Sequence, residues 1–230
     1  MSNLIQNALL VGASGLTGGK LLDLLLADPD IGQVSVLVRQ TLPINPPKLR
    51  QHVIDFNELE ARRELIQGDI VFCCLGTTIR QAGSQAHFKT VDYFYPLTLA
   101  MLAKMNGIKR FAAISSLGAN AESGNFYLQV KGQLERALLA LDFEQLILVR
   151  PSLLLGERKQ LRPAERIGAA AGKLAGPLLC GPLRRYRPID ADIVAWNLLD
   201  TAIHNGPGQH TLESETLADR YRQAQCKHST

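Results

Sequence analysis

Short apolar runs alternate along the chain with longer stretches in which apolar side chains recur every three or four positions. Apolar runs bounded by turn residues read as buried strands, and the longer recurrence reads as helix. The pattern predicts strands near 8–11, 34–39, 51–55, 69–75, 110–115 and 143–149, and helices near 16–27, 57–66, 84–106, 126–141, 164–175 and 191–204. Strands that alternate with helices are joined by crossovers, which set the strands parallel and place helices on both faces. The expected fold class is α/β, a doubly wound parallel sheet.

On such a sheet, ligands bind beyond the carboxyl ends of the strands. The first strand, Ala8-Leu-Leu-Val11, runs into Gly12-Ala-Ser-Gly15-Leu-Thr-Gly18-Gly19 and then into a Leu-rich helix that stops near Asp28-Pro29. Gly12 permits a tight turn, Gly15 lets the backbone approach a pyrophosphate, and Gly18 lets the helix pack closely on the strand. The helix N-terminus adds unpaired N–H groups and the positive end of its dipole. The spacing G-x-x-G-x-x-G lies one position from G-x-G-x-x-G, and a glycine turn that only packs a helix on a sheet is the plainer alternative. With a strand before it and a helix after it, the segment reads as a Rossmann-type dinucleotide site. Gly12, Ala13, Ser14, Gly15, Leu16, Thr17 and Gly18 are its candidate phosphate contacts.

The other strand ends extend that site. Strand two closes at Val38-Arg39-Gln40, where an NAD-selective protein usually offers Asp or Glu to the ribose hydroxyls. Arg39 can pair with a 2′-phosphate instead, which favours NADP over NAD. Asp55, followed by Phe56, closes strand three, in position to accept from an adenine amino group or simply to form a turn. Strand four gives way at Cys74 to Leu75-Gly76-Thr77-Thr78, a turn of small residues expected across the cofactor from the glycine loop. Cys73 and Cys74, adjacent in an apolar strand, point to opposite faces and read as small core residues rather than as a redox switch. Strand six closes at Arg150-Pro151-Ser152. Pro151 ends the ladder there, and this end is expected against the nicotinamide.

Strand five ends in Ser115 and Ser116, and Tyr127 and Lys131 follow at i, i+4 in a helical stretch. That spacing puts the ammonium one turn from the phenol on one helix face. An unperturbed tyrosine titrates near ~10, and a neighbouring cation favours the phenolate, giving a proton donor or acceptor usable near neutral pH. One serine would hold the carbonyl oxygen that receives the proton. The two point to opposite sides of an extended strand, and Ser116, the last residue, is nearer the expected substrate. Tyr-x-x-x-Lys alone is a cheap spacing, and the upstream nucleotide site gives it weight.

At 230 residues, 46% hydrophobic and 20% charged, the chain can bury a full core. A single domain is expected over 1–230, with its core at about 7–155 and a small C-terminal region, 156–230, covering the substrate pocket. The formal charge of +4 is modest and no basic run is interleaved with aromatics, so no nucleic acid is expected as a partner. Cys73, Cys74, Cys180 and Cys226 form neither a disulfide framework nor a metal-ligand pattern. No metal is therefore expected, and a reduced, cytoplasmic home follows. Neither a signal peptide nor an apolar stretch of membrane-span length is visible. Basic residues gather over 157–187, from Arg158 to Arg187, around an Ala- and Gly-rich segment. They read first as solvated charges around a helix packed through small residues. An anionic substrate and a weak contact with an acidic membrane surface are the competing readings.

In this order, Gly12-x-x-Gly15-x-x-Gly18, Ser115-Ser116, Tyr127-x-x-x-Lys131 and Arg150-Pro151 resemble the atypical branch of the short-chain dehydrogenase/reductases. Phe72-Cys-Cys-Leu-Gly-Thr-Thr78 and Tyr127-Leu-Gln-Val-Lys-Gly132 look more closely like the Tat-interacting protein (CC-three-like) oxidoreductases. The likeness is strong over about residues 7–155 and weak beyond. It implies NADPH held by the glycine loop and Arg39. Asp55, Phe56, Leu75, Gly76, Thr77, Thr78, Arg150, Pro151 and Ser152 complete that site with Tyr127 and Lys131. It also implies catalysis by Ser115 or Ser116 with Tyr127 and Lys131 on a small-molecule carbonyl. Hydride comes from NADPH, Tyr127 supplies the proton, and Lys131 holds the nicotinamide ribose while lowering the Tyr127 pKa. Many family members carry an Asn after strand four that completes a proton relay, and Asp92 is the nearest candidate here. Two alternatives stay open. One is an NADPH-sensing regulator with little or no turnover. The other is a nucleotide-sugar epimerase acting through the same tyrosine, which needs tightly held NAD and is disfavoured by Arg39.

Overall fold

Asn7–Val11, buried in all but its first residue, forms β1 inside a seven-stranded parallel sheet. The structure, a computed structural model, describes residues 5–156 and 181–228. The other strands of the sheet are β2 (Gln33–Val38), β3 (Leu49–Val53), β4 (Ile70–Cys73), β5 (Arg110–Ile114), β6 (Gln145–Arg150) and β9 (Gly208–Glu213). Their order is β3-β2-β1-β4-β5-β6-β9, and β7 (Leu154–Leu155) pairs separately with β8 (Ile189–Asp190). Because β1 pairs with β2 on one side and β4 on the other, the winding direction reverses there. A crevice opens beyond the carboxyl ends of β1 and β4.

Alternation along each strand divides the apolar residues between two cores. On one face Leu10, Val36, Phe72 and Ile147 pack under α1 (Leu16–Ala27) and α6 (Ala191–His204). On the other, Leu9, Leu37, Val71, Phe111 and Leu148 pack under α4 (Tyr95–Met105) and α5 (Phe126–Ala140). Leu21, Leu22 and Leu25 form the buried stripe of α1, each side chain contributing about 1.5–3 kcal/mol by leaving water. The doubly wound Rossmann-type sheet read from the sequence is the fold observed.

Several elements differ from the sequence reading for identifiable reasons. The helix expected over 57–66 is two 3-10 turns, Phe56–Glu58 and Glu60–Leu65. Phe56, Leu59 and Ile66 are the apolar residues buried there, and the spacing of three between the first two matches a 3-10 face. The helix expected over 84–106 is interrupted: α3 (Gln85–Lys89) leads into a π turn at Thr90–Phe94 before α4 begins. Pro96 lacks the N–H that would bond the carbonyl of Asp92, and its ring would crowd that carbonyl. The chain widens instead, with Tyr95 N–H donating to Thr90 O, and Asp92 turns inward. The predicted helix at 164–175 lies outside the described residues. The sequence pattern does not reveal β9 or the following helix α7 (Ser214–His228), nor the short strands β7 and β8 and the short helix at Ile79–Ala82.

Candidate functional site

The glycine turn is built by close approach. Gly12 has φ +90°, and a Cβ there would stand 2.5 Å from the carbonyl oxygen of Cys74 at the end of β4. A Cβ on Gly18 would stand 2.1 Å from Gly12 O, so α1 packs directly on the turn. Gly15 caps α1 without a side chain, and its N–H donates to Gly12 O at 2.9 Å. The first turn of α1 carries no acidic residue and no side-chain cap, which leaves its N–H groups and dipole facing the crevice. Thr17 is buried beside it with an Oγ1 that has no protein partner.

The β4 exit lies against the helix pair. Gly76 follows the strand, and the amide of Thr77 donates to Asp92 Oδ2 at 2.8 Å. Asp92 Oδ1 lies 2.7 Å from Lys131 Nζ, and the side chains are 1% and 4% exposed. Lys131 Nζ also reaches Ile114 O at 3.5 Å, the residue before the serine pair. Burial works against the ammonium, but Asp92, Tyr127 and Cys73 outweigh it and raise the Lys131 pKa. Thr78 is occupied locally: its hydroxyl accepts from Gln81 N–H at 3.1 Å, capping the short helix α2 (Ile79–Ala82).

β5 stops at Ile114, one residue before the serine pair rather than at Ser116 as expected, and the two serines differ in surroundings. Ser115 is 5% exposed, with an Oγ lacking a protein partner, while half-buried Ser116 donates to Leu117 O at 3.4 Å. Tyr127 stands one turn before Lys131 on α5, its ring 5.6 Å from that of Phe88. Asn125 caps this helix, accepting from Leu128 N–H.

At the far end of the crevice, exposed Arg39 closes β2 beside Asp55 and Tyr95. Burial and then Asp55 raise the Tyr95 pKa, with Arg39 opposing them. Asp55 accepts from Asn57 N–H at 2.9 Å, the turn-forming role considered for it. Phe56 is buried beneath, its ring 5.7 Å from that of Tyr95. Arg150 turns its guanidinium away onto α5 and β9, forking onto both oxygens of buried Glu135 at 3.0 and 2.6 Å and reaching Glu213 at 3.3 Å. What β6 presents to the site is therefore backbone and Pro151, whose carbonyl accepts from Leu117 N–H. Ser152 donates to Arg187 O and accepts from Ser214. Of the basic residues at 157–187, those at 157–180 lie outside the described residues, and Arg184 pairs with Glu215 and Asp219.

Three contributors were not read from the sequence in these roles. The sequence offers Asp92 as a relay candidate and does not show it as the partner of both Lys131 and Thr77. Glu135 had no visible role until Arg150 was placed. Gly132 carries the loop that leads to Tyr127: a Cβ there would meet the backbone of Asn120 and Ala121 at 2.2 Å. A glycine inside an otherwise regular helix is the signal by which the sequence could reveal it.

These features fit a nicotinamide dinucleotide. The turn admits no side chain at Gly12 or Gly18, and the α1 N-terminus has no side-chain cap. Two buried hydroxyls without protein partners, on Thr17 and Ser115, and the buried Lys131 ammonium lie among the residues that follow the strands. A glycine turn at the switch point of a doubly wound sheet, with a Tyr-x-x-x-Lys helix beside it, defines a dinucleotide-binding fold of the short-chain dehydrogenase/reductase type. A family model described as NAD(P)H-binding matches residues 12–163. Protein HTATIP2 of Rattus norvegicus is 40% identical over 164 residues, 70% of this chain and 67% of its own. The mitochondrial protein FMP52 of Candida albicans is 30% identical over 204 residues, 86% of this chain and 88% of its own. The chain belongs to this NAD(P)H-binding family, among the atypical short-chain dehydrogenase/reductases related to HTATIP2 and FMP52. Among solved structures, UDP-glucose 4-epimerase of Thermotoga maritima with UDP-glucose gives a TM-score of 0.69 at 15% identity, covering 90% of this chain and 77% of that one. MoeE5 in complex with UDP-glucuronic acid and NAD gives 0.70 at 20% identity, covering 90% and 75%. At these identities the likeness is one of fold. Among the described residues, no helix is long and apolar enough to cross a membrane.

Proposed function

We propose that the protein is an NADPH-dependent reductase of small-molecule carbonyls, with Tyr127 as the proton donor. The observation that carries this reading is the buried Lys131 ammonium, lodged between the exits of β4 and β5 one helical turn from Tyr127. Bound NADPH would supply a hydride to the carbonyl carbon. Tyr127 gives its phenolic proton to the carbonyl oxygen, and the Lys131 charge stabilises the phenolate that remains. A hydroxyl from Ser115 or Ser116 orients the carbonyl. Of the two, Ser115 has the unpartnered oxygen and directly follows β5, whereas Ser116 lies one residue further out and is less buried. Gly12 to Gly18 and the α1 N-terminus hold the pyrophosphate, and Arg39 receives the 2′-phosphate, which is why NADPH is preferred to NADH.

The experiment is NADPH oxidation against aldehydes, ketones and quinones, beside NADPH binding, for wild type and Tyr127→Phe. The variant should bind NADPH nearly as well and lose at least about a hundredfold in turnover. Unchanged turnover in Tyr127→Phe would falsify the assignment. A second reading, a dinucleotide-sensing regulator, is favoured by the engagement of Lys131 with Asp92, which draws part of its charge from Tyr127. Tight NADPH binding with no oxidation by any carbonyl is the result that selects it.

A further inference from the structure

Asp92 is the one acidic residue in the π turn, and its two oxygens face two different parts of the site. Oδ2 accepts from the backbone N–H of Thr77 at 2.8 Å, and Oδ1 meets Lys131 Nζ at 2.7 Å. Thr77 belongs to the β4 exit, which packs beside the glycine turn through Cys74. Lys131 belongs to α5, which carries Tyr127. A proton relay needs a group that exchanges partners with solvent, whereas this carboxylate is 1% exposed, with Oδ2 accepting from Thr77 N–H and Oδ1 ion-paired to Lys131. The placement depends on Pro96, since a regular helix through Thr90–Phe94 would follow the 3.6-residue repeat and turn the side chain to another direction.

We propose that Asp92 is a positioning residue, a fixed clamp that joins the Gly76–Thr77 loop to the Tyr127–Lys131 pair so that cofactor loop and proton donor are held as one unit. The proposal rests on the functional reading above for its consequence, but the clamp itself belongs to the ligand-free protein. Lys131 is faced by Asp92 from the π turn, by Cys73 from β4 and by Tyr127 on its own helix. Glu135, one turn further along α5, is engaged by Arg150. Asp92 is therefore the carboxylate that keeps the buried ammonium charged.

The test uses the full chain and four proteins: wild type, Asp92→Asn, Lys131→Met and the double variant. Asp92→Asn keeps the shape and the acceptor for Thr77 while removing the charge beside Lys131. In the ligand-free proteins, a clamp predicts that the double variant melts above Asp92→Asn alone, because Lys131→Met removes the ammonium left unpaired. Losses that simply add in the double variant overturn the proposal, and this comparison remains readable if Asp92→Asn folds poorly. NADPH affinity is then followed by fluorescence from about pH 7 to about pH 9. Asp92→Asn should bind about tenfold more weakly or worse, and its affinity should decline with pH where the wild type stays flat. An Asp92→Asn protein that is less stable yet binds NADPH like wild type at every pH has lost only packing, which also overturns the proposal. If wild type shows the coupling but binds no NADPH, the clamp stands and the reductase reading is what fails.

Discussion

Lys131 Nζ lies 2.7 Å from Asp92 Oδ1 with both side chains almost wholly buried. Burial of one charge without the other is costly, so the pair acts on stability as well as on chemistry. Lys131→Met is expected to destabilise the protein by about 3–5 kcal/mol near neutral pH by leaving Asp92 uncompensated. The folded pKa of Lys131 is raised above its ordinary 10.5. Its contribution is therefore fully present below 10.5 and is lost as pH rises through the higher folded value. Urea unfolding across pH should show a decline above 10.5 that is smaller in Lys131→Met than in wild type. Parallel curves for the two proteins would remove the linkage.

Gly132 decides where the segment before Tyr127 rests. A Cβ would stand 2.2 Å from backbone atoms of Asn120 and Ala121, and backbone has no rotamer with which to yield. Gly132→Ala should therefore cost about 1–3 kcal/mol by overpacking, and it should impair Tyr127-dependent turnover beyond the stability loss. Gly124→Ala is the control: it meets nothing within 4 Å and should stay within about 0.5 kcal/mol of wild type. Equal effects of the two alanines would show that the close approach does not matter.

The sequence disclosed elements that answer to strong, local rules. β1, α1 and α6 announce themselves because buried strands and amphipathic stripes need apolar side chains at set spacings. β9 was invisible for the opposite reason: Gly208, Gln209, His210 and Thr211 lie on an edge strand that pairs only with β6, and such a strand is mostly solvated. α7 likewise buries little beyond Leu217 and sets Tyr221 against Trp196. At the site, the glycine turn and the Tyr127–Lys131 spacing were legible because each is written in consecutive residues. The partners of Asp92 and Arg150 were not, since Thr77, Lys131, Glu135 and Glu213 are brought to them only by the crossovers. The π turn lay hidden in Tyr95-Pro96, whose missing N–H breaks the helix one turn upstream.

Arg39 supplies the test of cofactor selectivity. It is exposed at the end of β2, with Asp55 and Tyr95 close by. A charge-assisted contact with a 2′-phosphate that is lost on truncation predicts that Arg39→Ala weakens NADPH binding about tenfold or more. NADH binding should hardly change. Fluorescence titration of both dinucleotides reads the ratio, and a variant that loses both equally would point to a general electrostatic or structural role.

Cys73 and Cys74 follow from the same burial that hides the Lys131 pair. Cys73 packs in the core under α4 and α5, and Cys74 packs toward the core under α1 and α6. Burial raises the Cys73 thiol from its ordinary 9.0 to about 11, partly offset by the Leu75 backbone and Lys131. Burial likewise pushes Cys74 well above that ordinary value. At pH 8 only about one thousandth of Cys73 would be thiolate, the form that attacks disulfides and alkylating agents. Mass spectrometry after a short exposure to iodoacetamide should therefore find Cys226, which is exposed on α7, modified while Cys73 remains intact until urea unfolds the chain. The shift also bears on stability. An acid whose folded pKa is raised ionises first in the unfolded chain, so stability falls as pH climbs from about 9.0 towards about 11. Cys73→Ala should make that part of the alkaline curve shallower and leave the loss above 10.5 that belongs to Lys131. Rapid labelling of Cys73 in the folded protein would instead mean that β4 opens locally.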